Sequence, residues 1–169
     1  MIDGRLISIA YLEEIPAYKS DLLHAFIDNE KIVTYIDSKD KEVDDPVDLI
    51  GKHIFPNPYV PDIQTEVKTY ICMDIYVPRV KDKIFKDVQM VINIFSHKNM
   101  STYESKSRVD LINIEVDKIL NGNMNFGIDT VELVSVLPYI PNTNFAGKQI
   151  IYNVPNFNQR RCKHNEHKI

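Results

Sequence analysis

Apolar positions along the chain follow two different periods, and the switches between them outline the elements. From Leu22 to Ile36 the residues Leu22, Leu23, Phe26, Ile27, Ile32, Val33 and Ile36 approximate one helical stripe, with Ser20 and Asp21 placed to cap it. Pro16 stands just upstream, where a helix interior is disfavoured. From Val67 to Val77 the period becomes two. Val67, Thr69, Ile71, Met73, Ile75 and Val77 alternate with Lys68, Tyr70, Cys72, Asp74 and Tyr76, which is strand patterning. Val88, Met90, Ile92 and Ile94 alternate with Gln89, Val91, Asn93 and Phe95 in a second strand, so the two predict an antiparallel hairpin. The period then returns to helical. Ser107 is the expected N-cap, Val109, Ile112, Val116, Ile119 and Leu120 form the apolar face, and Asn121-Gly122 is the stop signal. Two more strands follow. Val131, Leu133, Ser135 and Leu137 alternate with Glu132, Val134 and Val136, and the segment KQIIYNV comes before a closing Pro155.

Between these elements lie a charged stretch at 38–48, a polar loop at 98–107 and a connector, IFPNPYVPDIQTE. Pro56, Pro58 and Pro61 hold the connector extended and work against a continuous sheet ladder. The expectation is an α+β domain. It has a four-stranded, largely antiparallel sheet made of two hairpins separated by a helix, an N-terminal helix and a C-terminal arm. Residues 1–157 form the single domain and 158–169 the arm. A chain of 169 residues suffices for one sizeable core.

Charge changes the picture at one place. The net charge is −4, but NQRRCKHNEHKI at 158–169 sets Arg160, Arg161, Lys163 and Lys168 against Glu166 alone. The arm is therefore +3 and the body −7. With Ile169 as its one large apolar side chain, the arm cannot build a core of its own. It reads either as a solvated tail or as an arm that orders on an acidic neighbour or on nucleic acid. The cysteines Cys72 and Cys162 do not make a disulfide framework and fit a reducing compartment. No run approaches the ~18 apolar residues of a membrane span. Leu6–Leu12 lacks the basic flank of a signal peptide.

Motifs of catalysis are missing from the pattern. The five glycines are too scattered for a phosphate-binding loop, and neither His-Glu-x-x-His, Cys-x-x-Cys nor a G-x-S-x-G elbow occurs. Cys162, His164 and His167 could ligate zinc, but a fourth ligand is not nearby and two lysines oppose the ion. Asp74 and Asp87 could be imagined as a magnesium-holding pair, against the plainer reading of a strand-face and a turn carboxylate. His97 at a strand end is read as a satisfied polar residue rather than a base. The expectation is a protein that is not an enzyme and needs no cofactor and no metal.

Four segments together carry a resemblance: DLIGKHIFPNPYVPDIQTEVKTYICMDI, VINIFSHKNM, RVDLINIEVDKILNG and FGIDTVELVSVLPYIPNTNFAGKQIIYNVPNFN. Across about residues 20–157 the chain resembles small neck proteins of tailed bacteriophages, similar to tail terminators and head–tail joining (connector) proteins. The resemblance implies a virion protein that assembles in the host cytoplasm. Copies would form a ring between portal-side and tail-side proteins, with packaged DNA passing through and no membrane involved. It brings no catalytic residues and does not extend to the arm. An acidic body suits a channel in which DNA slides, because a phosphate-gripping lumen would be basic. The residues expected at subunit interfaces are Phe55, Tyr59, Ile63, Tyr103, Arg160, Arg161 and Ile169. The other reading is a small non-catalytic module that binds a peptide or nucleic acid.

Overall fold

The computed structural model describes residues 8–10, 12–37, 44–58, 66–81, 84–157 and 159–161. In chain order the elements are β1 (Ser8–Ala10), α1 (Ile15–Ile27), α2 (Glu30–Asp37), β2 (Ile54–Phe55), β3 (Thr69–Val80), β4 (Phe85–His97), β5 (Thr102–Tyr103), β6 (Lys106–Ser107), α3 (Arg108–Leu120), β7 (Glu132–Tyr139), β8 (Phe145–Phe157) and β9 (Gln159–Arg161). The main sheet has five strands in the order β2-β3-β4-β8-β7. β1 pairs with β9, and β5 pairs with β6.

The expected four-stranded, largely antiparallel sheet is therefore corrected to a five-stranded mixed one. The two hairpins are present and join through β4 and β8. The fifth strand comes from the proline-rich connector, where Ile54 and Phe55 pair in parallel with Ile71 and Cys72. The prolines follow this pair instead of interrupting it, so two residues can join the ladder before Pro56 ends it. Pro155 does not close the last strand either. It lies beyond the start of β7, which begins opposite Asn153, so β8 there has a strand on one side only and tolerates a missing N–H.

The N-terminal stripe is divided between two helices. Pro16 occupies the first turn of α1, where its absent N–H costs nothing. The Asn29 side chain then accepts from the N–H groups of Lys31 and Ile32 and starts α2. α3 begins as its sequence signals: the Ser107 hydroxyl accepts from the Asp110 N–H. The sheet's alternation puts Ile71, Met73, Ile75, Val88, Met90, Ile92, Ile94, Ile150, Tyr152 and Val154 on one face. That face packs against Leu22, Phe26, Ile32, Ile36, Ile112, Val116 and Leu120 of the helices, and all of these residues are buried.

Buried polar groups tie the layers together. Lys86 is fully buried and forms an ion pair with Glu14 just before α1. The Tyr18 hydroxyl accepts from the Gly127 N–H at 2.9 Å and meets the Asn156 amide at 3.0 Å. Gly127 has φ +84°, and a Cβ there would lie 2.5 Å from the Pro155 carbonyl oxygen, so only glycine fits. The buried Arg108 donates to three backbone carbonyls, those of Met100, Tyr35 and Thr102, and so binds α2, the 98–103 segment and α3 together.

Val116 lies in the middle of this core. Val116→Asp would bury an unpaired carboxylate and should destabilise the fold by on the order of 3 kcal/mol or more, read as a shift in the urea midpoint. Wild-type melting in that variant would show that another face of α3 meets the sheet.

Candidate assembly surface

The two faces of the sheet end differently at β7. The helices lie over β3, β4 and β8. β7 pairs with β8 on one side, and among the described residues no strand pairs with its outer edge. A register shift between Leu133 and Ser135 breaks its alternation. Leu133 opposite Tyr152 and Val136 opposite Ile150 both face the helix side, while Ser135, Leu137 and Tyr139 face the other. Leu133, Val134, Val136 and Leu137 are 41%, 56%, 47% and 49% exposed, and Ile140 beyond the strand is 69% exposed. A solvated edge strand is ordinarily guarded by charge, whereas β7 carries one charged residue, Glu132. Exposed apolar side chains grouped along one edge strand make β7 the candidate interaction surface.

α3 borders the helix-side ledge of β7 with polar groups. Asp110 forms an ion pair with Lys148 of β8, and the Tyr152 hydroxyl donates to Asp117 at 2.9 Å. Lys148 holds the Asp110 carboxyl below its usual range, and burial followed by Asp117 raises the Tyr152 phenol. Asn113 lies between the two aspartates by helical spacing. Its amide nitrogen and oxygen are buried and have no hydrogen-bond partner.

The opposite face is closed at one end by its own aromatic rings. Tyr70, Phe95 and Phe145 meet at centroid distances of 5.5–5.9 Å, and Phe55 and Tyr139 pack at the margin. Gly147 lies opposite Phe95, and any side chain there would collide with the backbone of β4. Burial pushes both the Tyr70 phenol and the Cys72 thiol up to about 12.

The residues expected at interfaces are distributed unevenly. Phe55 is half-buried against Tyr70. Tyr103 stacks edge-on with Tyr35 and lies beneath the Arg108 guanidinium, 5.6 Å from ring centroid to charge. Both of these serve the fold. Tyr59, Ile63 and Ile169 lie outside the described residues. The backbone of Arg160 and Arg161 pairs with Ile9 and Ser8, so this part of the arm is joined to the chain's own N-terminal strand. The apolar residues of β7 were not among those expected. Their signal is a run with a single charge in which both alternating sets are apolar, more than a half-buried strand requires.

Asp74 and Asp87 are not brought together. Asp74 pairs in register with Val91, and Asp87 is four residues from Val91 along β4, about 13 Å away. Lys19 neutralises Asp74 and Lys81 neutralises Asp87, each at 2.8 Å. Among the described residues no three His, Cys, Asp or Glu side chains gather as for a metal. Cys162, His164 and His167 lie outside the described residues. His97 accepts from the Asn99 N–H and packs edge-on against Phe145.

The family model for YomW matches residues 21–154, the span from α1 through most of β8. The chain belongs to the YomW family. This is a phage-like family of the Bacillus SPbeta type, and membership makes the chain a phage-associated protein. The match ends before the basic arm, so the arm lies outside the shared YomW body. Curated proteins give no match. Among the described residues, no helix of this YomW-family chain is long and apolar enough to cross a membrane.

The aromatic face gives a pH prediction. The Tyr70 phenol is raised above its ordinary value of 10.0, so its contribution to stability is complete below pH 10 and is lost as pH rises toward 12. Urea midpoints should fall across that interval, and Tyr70→Phe should make the fall shallower. An unchanged slope in Tyr70→Phe would place the alkaline sensitivity elsewhere.

Proposed function

We propose that this protein is a non-catalytic structural subunit of a phage particle. It forms a ring of copies at the neck, as a tail terminator or head–tail connector, between portal-side and tail-side proteins. The exposed apolar strip of β7 in a member of a phage-associated family carries this reading. A subunit that spends its life in contact with neighbours can leave a sheet edge uncovered, whereas a free monomer with such an edge is prone to aggregate. The neck position rests on the resemblance of residues 20–157 to neck proteins. Membership of a phage-like family supports it at the level of phage association. The −7 body favours a channel that lets DNA slide without sequence-specific contact. Lysine neutralisation of both candidate metal-holding carboxylates supports a non-catalytic role.

A ring built from head-to-tail contacts closes at one fixed number of subunits. Native mass spectrometry over a range of concentrations should therefore give one closed multimer, and Val136→Glu should shift it to monomer with the fold intact. A protein that stays monomeric throughout, or a ladder of open sizes, would contradict the ring.

A further inference from the structure

Two features remain unmatched within one chain: an apolar ledge with an acidic border, and a basic arm with one apolar anchor. The ledge is the helix side of β7, with Leu133 and Val136 uncovered between the strand and α3. Asp110, Asn113 and Asp117 of α3 stand along its border, with Asp110 at Lys148 and Asp117 at Tyr152 of β8. Lys148 is the cation paired there, with Asp110, and Asp117 accepts from the Tyr152 hydroxyl, so two carboxylates stand beside one lysine.

We infer that residues 162–169 of a second copy cover this ledge. This rests on the ring reading and names the contact that closes the ring. The segment KHNEHKI supplies Lys163 and Lys168 for the acidic border of Asp110 and Asp117. Ile169 is the apolar side chain that fits against Leu133 and Val136. Arg160 and Arg161 add to the attraction between a +3 arm and a −7 body. The eight residues after β9 span at most about 28 Å when extended.

Chain direction favours a neighbour over the arm's own ledge. β8 leaves the ledge floor at Tyr152 and continues to Phe157, roughly 17 Å along the strand, and β9 follows after one residue. Pairing of β9 with β1 fixes the arm's root past that end. Returning to its own ledge would require the arm to reverse, while a head-to-tail neighbour receives it without reversal. Each subunit then gives one arm and receives one, which is the heterologous contact a closed ring needs.

The test uses disulfide capture, which requires Cα atoms about 4.4–6.8 Å apart. One full-length chain carries Val136→Cys with Cys162→Ser, and another carries Ile169→Cys with Cys162→Ser. Val136 is half-exposed, so Val136→Cys leaves the core in place, and Cys72 is buried away from the oxidant. Mixed and mildly oxidised, the two chains should give a covalent pair containing one of each. A single chain carrying both new cysteines should give linked multimers. If that doubly substituted chain forms an internal disulfide instead, the arm covers its own ledge and the inference fails. If a closed multimer forms without any cross-link, the arm is not the occupant, although the ring stands. If the cross-link forms between chains that never close into a single multimer, the docking holds and the ring reading fails. If neither multimer nor cross-link forms, both fail.

Discussion

The structure depends on the register between β4 and β8, which pair residue for residue from Phe85–Phe157 to His97–Phe145 without a break. Because side chains alternate with period two, this one register assigns every residue of both hairpins to a face. A slip of one residue would send Val88, Met90, Ile92 and Ile94 away from the helices. Gly147 helps fix the register, since its position against the backbone at Ile94 and Phe95 admits no side chain. Once the register is set, one face receives α1, α2 and α3. The other is left to an aromatic cluster and a row of polar pairs, such as Gln149 donating to Asn93.

The same constraint produces the uncovered edge. Three helices span β3, β4 and β8, and among the described residues no helix packs over β7 in the same way. The bulge in β7 then turns Leu133 and Val136 to the same side, which concentrates apolar surface where a fully alternating strand would have divided it. Exposed apolar side chains on both faces of an edge, with a single charge, suit a strand whose environment is completed by another molecule. In the proposed function that molecule is a neighbouring copy.

Much of the fold was legible in the sequence because its strongest signals were periodic. Ile71, Met73 and Ile75, Val88 to Ile94, and the α3 face Val109, Ile112, Val116 and Leu120 lie where their spacing placed them. The missed parts depend on contacts that a local window cannot hold. Ile54 and Phe55 become a strand only because β3 offers an edge to them. Pro155 continues β8 only because β7 has not yet begun beside it. Gln159–Arg161 is a strand because Ser8–Ala10 lies alongside. The candidate surface was less legible than the core. Phe55 and Tyr103, in the short strands β2 and β5, drew attention as interface residues, and within the fold they engage Tyr70, Tyr35 and Arg108. The β7 strip reads like any buried strand until its lack of a cover is seen.

The central claim is that β7, rather than the aromatic face, is the surface completed on assembly. Hydrogen–deuterium exchange compared between dilute and assembled protein tests it directly. The account predicts that amides of residues 131–140 gain protection on assembly, while those of 69–73 and 92–97, already paired within the sheet, do not change. Unchanged exchange across 131–140 in the assembled state would contradict it.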